Sequence, residues 1–188
     1  MKNHLDPDFK KKVDEVLKGL KSSLHDLYDA ATKDEKTGAY NHRFFKNIFL
    51  MELEKAKRGK QKICLVVIDI DFFKKLNDSH GHLVGDEILK ELVVILTKTL
   101  RKYDVLSRFG GEEFFVLLPQ TSIIQGKRIS ERLRKSLTSG KLMKKYNVTI
   151  SVGITEYKEK DNFERMVKRA DKALYLSKKG GRNRVSVG

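Results

Sequence analysis

Six consecutive apolar residues, Ile63-Cys64-Leu65-Val66-Val67-Ile68, run straight into Asp69-Ile70-Asp71. The run is far short of the ~20 residues that cross a bilayer, so no membrane span is expected of it. Its β-branched content and the charge at both ends describe a central strand with no solvated face. Such a strand needs helices packed over it, and the rest of the chain supplies them. Asn41 can cap a helix through about Arg58, with Phe44, Phe45, Ile48, Phe49 and Leu53 on its inner side. A short helical turn is expected around Phe72 to Leu76, and Leu83 to Leu100 keeps a helical period through Val84, Ile88, Leu92, Ile95 and Leu96. Ser122 to about Ser139 reads as a helix ending at Gly140. A further helix, capped by Asp161 or Asn162, runs to Lys179 and stops at Gly180-Gly181. Between these lie two strand-like runs, Val105 to Phe109 and Phe114 to Leu118, joined as a hairpin by Gly110-Gly111-Glu112-Glu113. Val148 to Ile154 alternates with period two and predicts a half-buried strand; Arg184 to Val187 predicts a last short one. The expected architecture is α/β (α+β): a mixed central sheet with one hairpin, covered by helices.

Ahead of this lies a different pattern. Val13, Leu17, Leu20, Leu24 and Leu27 follow one another at alternating steps of four and three. Over about three heptads this suits either a coiled-coil seam or an amphipathic helix packed on its own domain. Residues 1–33 are thus expected to form a helical stalk, with Ala30 to Gly38 as a hinge, and 34–188 the main domain. The 188 residues carry 40 Lys+Arg against 25 Asp+Glu, a net charge of +15. That favours polyanionic partners. Yet the bases are scattered among acids and the aromatics are not interleaved as stacking platforms, so a nucleic-acid partner is not expected. The first residues lack the apolar core of a signal peptide, and the single Cys64 sits inside the apolar run, so a cytoplasmic setting is expected.

The chemistry concentrates at strand ends. Asp69 closes the buried run and Glu112 and Glu113 occupy the hairpin tip. If the hairpin neighbours that strand, these carboxylates converge, an arrangement that suits Mg²⁺ with phosphate oxygens completing its shell. Acids at strand ends are also commonly just solvated. Downstream of Asp71, Phe72 and Phe73 open a short helix whose first N–H groups, with Lys74, could cradle phosphates. Asn77 and Asp86 flank Gly81-His82-Leu83-Val84-Gly85. A carboxylate accepts the paired N1–H and N2–H₂ of guanine, and adenine presents no such pair. The same residues also serve ordinary turns and helix starts.

Taken together, Ile68-Asp69-Ile70-Asp71-Phe72-Phe73-Lys74, Asn77-Asp78 with Gly81-His82 and Gly85-Asp86, and Gly110-Gly111-Glu112-Glu113-Phe114 resemble the GGDEF family, the diguanylate cyclases, in a GGEEF variant. Asp34 to Arg43 resembles the family's opening motif, and Lys178-Lys179-Gly180-Gly181-Arg182-Asn183 its closing one. The resemblance implies a fold similar to the nucleotidyl cyclase and polymerase palm. It implies Mg²⁺ (or Mn²⁺) on Asp69, the Ile70 carbonyl and Glu112, with Glu113 a further ligand. It also implies guanine read by Asn77 and Asp86, His82 lining the site, and phosphates held by Lys74, Lys178, Arg182 and the main chain at Phe72 and Phe73. Arg101 and Asp104 match the family's R-x-x-D inhibitory product site, which Arg132 would join. The implied activity is condensation of two GTP into cyclic di-GMP and two pyrophosphates, by a homodimer in which each domain presents half a site. A catalytically silent domain that only binds GTP or cyclic di-GMP is the alternative. The opening motif departs from the family: Lys36 and Ala39 stand where leucines are usual, and His42 where an arginine is usual.

Overall fold

The computed structural model describes residues 6–59 and 61–188, so the expectation drawn from Met1–Leu5 lies outside it. The chain runs α1 (Pro7–Thr32), β1 (Tyr40–Asn41), α2 (His42–Gly59), β2 (Cys64–Ile70), α3 (Phe73–His80), α4 (His82–Thr99), β3 (Val105–Gly110), β4 (Glu113–Leu118), α5 (Ile123–Ser136), a single 3₁₀ turn (Leu137–Ser139), α6 (Lys141–Lys145), β5 (Ile150–Glu156), α7 (Phe163–Lys179) and β6 (Val185–Val187). The strands form one sheet in the order β1-β3-β4-β2-β5-β6. β1 with β3 and β5 with β6 are parallel, and the other pairs are antiparallel.

β2 lies inside the sheet and is buried along its whole length. Its alternate residues divide the core in two. Cys64, Val66, Ile68 and Ile70 share one cluster with Ile88, Leu92 and Leu96 of α4 and Ile129 and Leu133 of α5. Leu65 and Val67 share the other with Phe45, Phe49 and Leu53 of α2 and Met166, Ala170 and Leu174 of α7. Asp69 and Asp71 continue the second parity, which aims them at the face that carries α7.

Three expectations are corrected. β5 is buried on both faces rather than half-buried. Its polar positions lie under α7, and a Cβ on Gly153 would overlap the Ala170 carbonyl and the Leu174 amide, so the small residues there admit the helix backbone. The helix expected to reach Ser139 ends at Ser136; the 3₁₀ turn and α6 follow, with the α6 amides of Leu142 and Met143 donating to Glu91 (2.9 and 3.2 Å). The hairpin loop is shorter than its four-residue signature, because a bulge between Arg108 and Gly110 lets Gly110 pair with Glu113 across Gly111 and Glu112. The segment expected to be a hinge, Ala30 to Gly38, has local structure of its own. α1 runs on to Thr32, and a tight turn follows: the Gly38 amide donates to the Asp34 carbonyl (2.8 Å), and Asp34 Oδ1 accepts from the amide (3.0 Å) and hydroxyl (2.6 Å) of Thr37.

Only the end of α1 meets the domain. Tyr28 packs edge-on to Phe44 and the Asn41 amide donates to the Ala31 carbonyl (2.9 Å). Asn41 also caps α2 as expected, accepting from the Phe44 amide at 2.9 Å. The seam residues Val13, Leu17, Leu20, Leu24 and Leu27 are exposed by 39 to 67%, which removes the option of a helix packed on its own domain. No described helix is long and apolar enough to cross a membrane.

Candidate active site

The β2–β4 register pairs Asp69 with Glu113, so the expected convergence of strand-end acid and hairpin tip occurs. Asp69 is 4% exposed. Burial pushes its carboxyl above the ordinary range; Lys178 opposes that, and Asp71 adds to it. Glu112 and Glu113 are also raised, first by burial and then by the Asp69 charge, and Asp171 on α7 crowds Glu113 as well. Lys178 Nζ lies 2.8 Å from Asp69 Oδ2, so the acids already draw a cation to them. Among the described residues no three His, Cys, Asp or Glu side chains close up as a protein-only metal cage. Asp69, Glu112 and Glu113 offer oxygen donors, the kind of ligand Mg²⁺ takes when phosphate and water complete its shell.

Asp71 takes a separate task. It accepts from Thr149 Oγ1 (2.7 Å), Ser151 Oγ (2.6 Å) and the Asn183 amide (3.0 Å). It therefore fastens the loop after α7 to the end of the sheet, and that loop carries Arg182. The Arg182 guanidinium stacks over the Phe72 ring at 4.3 Å. Phe72 has a left-handed backbone (φ 59°) and opens α3 with no side-chain cap, which leaves the first-turn amides at Phe73 and Lys74 without a side-chain acceptor. Lys74 is exposed beside them and Phe73 is buried. Phosphate-binding candidates from the start of α3, the end of α7 and the loop after α7 thus meet beside Asp69.

A second group lies farther along α3 and α4. Asn77 Oδ1 is buried without a partner. It lodges against Gly85, where a Cβ would overlap it, so Gly85 is what admits the Asn77 side chain next to Asp86. Asp86 is met by Lys36 Nζ, 3.1 Å from each carboxylate oxygen. His82 opens α4 and is exposed.

The hairpin tip is tied to the opening turn by Arg108, which donates to the Gly111 carbonyl through Nε (3.0 Å) and a terminal nitrogen (2.7 Å) and to Asp34 Oδ1 (3.1 Å). Sequence reasoning gives neither residue a role: Arg108 lies outside the motifs, and Asp71 lies inside the motif from Ile68 to Lys74 with no task assigned to it. A charge two residues before the Gly-Gly, where alternation calls for an apolar residue, is the one signal that marks Arg108.

Arg101 and Asp104 do not form the side-chain ion pair of an ordinary i,i+3 contact. Asp104 Oδ2 accepts from the Arg101 amide (2.8 Å), the Arg101 guanidinium turns to the Tyr103 hydroxyl (3.1 Å), and Asp104 Oδ1 is buried without a partner. Burial raises the Asp104 carboxyl, while Arg101 and Arg132 act to lower it. Arg132 reaches across from α5 to the Thr99 carbonyl (2.8 Å). These three residues form a cluster separate from the acids at the hairpin. Cys64 is inert: buried, its thiol donates to the Thr121 carbonyl and burial pushes its pKa up to about 12.

Residues 31–184 match a family model described as "Diguanylate cyclase, GGDEF domain". The chain is 37% identical to Diguanylate cyclase A of Treponema denticola, over 98% of this chain and 53% of that protein. It is 38% identical to Diguanylate cyclase DgcP of Pseudomonas aeruginosa, over 93% of this chain and 26% of that protein. It therefore spans about half or less of the length of these relatives. The solved coiled coil and GGDEF domain of DgcB from Caulobacter crescentus, in complex with c-di-GMP, superposes with a TM-score of 0.83 at 29% identity, covering 96% of this chain and 97% of that one.

Proposed function

Since the chain belongs to the GGDEF family, we propose that it is an active diguanylate cyclase, which joins two GTP into cyclic di-GMP and two pyrophosphates. The assignment rests on one juxtaposition: the register that sets Glu112 and Glu113 beside buried Asp69, with Lys178 already drawn onto that acid at 2.8 Å. A receptor without chemistry has no use for Glu112 and Glu113 placed where the Asp69 charge opposes their own.

In this reading Asn77 and Asp86 hold the guanine edge, His82 lines the site, and the main chain at Phe72 and Phe73 with the side chains of Lys74, Lys178 and Arg182 holds the triphosphate. Arg182, braced on Phe72, and Lys178 neutralise charge that grows on the departing pyrophosphate. Asp69, the Ile70 carbonyl, Glu112 and Glu113 would hold Mg²⁺ or Mn²⁺, which lowers the cost of ionising the 3′-hydroxyl and of charge on the α-phosphate. Each 3′-oxygen bonds to the α-phosphorus of the other GTP, that phosphorus loses its bond to pyrophosphate, and the hydroxyl proton is released. One domain supplies half of the required geometry, so two copies meet as a C2 dimer. The unpartnered seam of α1 is the surface we assign to holding them together.

We assign Arg101, Asp104 and Arg132 to binding of the product. The half-orphaned Asp104 carboxylate suits guanine N1–H and N2–H₂, and the arginines suit guanine acceptors and phosphate. Incubating the purified chain with GTP and Mg²⁺ decides between the readings. Cyclic di-GMP is expected; GTP binding with no turnover would favour the silent receptor instead.

A further inference from the structure

We propose that Lys36 is a base-reading residue, donating to O6 of guanine while Asp86 accepts from N1–H and N2–H₂. This rests on the guanine-site reading of Asn77 and Asp86 given above. Lys36 Nζ sits 3.1 Å from both Asp86 oxygens, although fifty residues separate the two in the chain. The pair is open to solvent, with side-chain exposures of 59% for Lys36 and 33% for Asp86. Next to Asp86 in the chain, Gly85 leaves room for the buried, unpartnered Oδ1 of Asn77.

Guanine presents a donor, a donor and an acceptor along its pairing edge: N2–H₂, N1–H and O6. Acceptors alone satisfy the first two and repel the third. The Lys36 ammonium, which lies between the two Asp86 oxygens in the free site, adds a charged donor to whatever the Asn77 amide supplies: drawn to the oxygen nearer O6, it keeps that oxygen and turns another of its three hydrogens to O6. Adenine would set its 6-amino donor against that ammonium and its bare N1 against the carboxylate, so the pair rejects adenine at two positions. The turn that presents Lys36 is closed by Asp34 and Thr37 and anchored through Arg108 to the hairpin tip. The leucine usual at this position could make none of these contacts.

Titration of the full chain with GMP and with 6-thio-GMP, followed by NMR, tests this, because neither nucleotide has a pyrophosphate to lose. Wild type is expected to bind GMP about tenfold more tightly than the thio analogue, whose sulfur is a poor acceptor. Lys36→Met should lose about tenfold in GMP affinity and most of that preference, with its thermal midpoint unchanged. GMP bound as well or better by Lys36→Met, or an intact preference in that variant, would overturn the proposal and make Lys36 a competitor for Asp86. An Asp86→Ala control separates the two levels: GMP affinity that ignores Asp86, or no GMP binding to wild type, removes the guanine site itself and Lys36 with it.

Discussion

Asp69 and Asp71 stand two residues apart on the same face of the sheet, and the structure gives them opposite duties. Asp71 satisfies two hydroxyls and one amide in a buried setting. Its replacement by Ala leaves those donors unpaired and should cost about 3 kcal/mol of stability, read as a lower denaturant midpoint. Asp69 is crowded by burial and by neighbouring acids. Asp69→Ala should therefore abolish cyclisation with the denaturant midpoint unchanged or raised. Equal stability losses in the two variants would contradict this division. At the base, Asp86→Ser replaces an obligate acceptor with a hydroxyl that also donates. The preference for GTP over ATP should fall by about tenfold in competition assays, and an unchanged preference would place Asp86 away from the base.

Between elements, the Asp34–Arg108–Gly111 tie joins the turn after α1 to the catalytic hairpin. Burial tends to raise the Asp34 carboxyl, but the Thr37 hydroxyl and amide and the Arg108 guanidinium outweigh it and hold it below the ordinary range. A carboxyl depressed in the folded state stabilises the fold above its unfolded pKa of about 3.9, and that contribution fades as pH falls through the folded value. Asp34→Asn should be less stable than wild type at neutral pH, with a difference that narrows below about pH 4 in thermal melts. The cluster proposed to bind product belongs to other elements, the α4–β3 turn and α5. Arg101→Ala with Asp104→Ala should relieve product inhibition and leave GTP affinity unchanged. Much of this was legible in the chain. The apolar run of β2, the Gly-Gly turn and the Asn41 cap announce themselves locally. What was hidden depends on distant partners. β1 is two residues long and exists through its pairing with β3. Ser151 and Gly153 look like a solvent face until α7 covers them. No spacing rule joins Lys36 to Asp86, or Arg108 to Asp34.

For the whole molecule, the proposed dimer would answer two features at once: the apolar seam that α1 leaves exposed and a proposed reaction that needs two domains. Changing Leu17, Leu20 and Leu24 to polar residues should lower specific activity most steeply at low protein concentration, as expected when assembly limits turnover. Strict proportionality between rate and protein concentration in both wild type and variant would mean that the seam does not govern assembly. The cyclase assignment itself is tested most directly by the products formed from GTP and Mg²⁺ by wild type and by Glu112→Ala at matched concentration. Wild type should release two pyrophosphates for each cyclic di-GMP, and Glu112→Ala, folded by circular dichroism, should release neither. Cyclic di-GMP made equally well by Glu112→Ala, or GTP bound by wild type and never turned over, would contradict it.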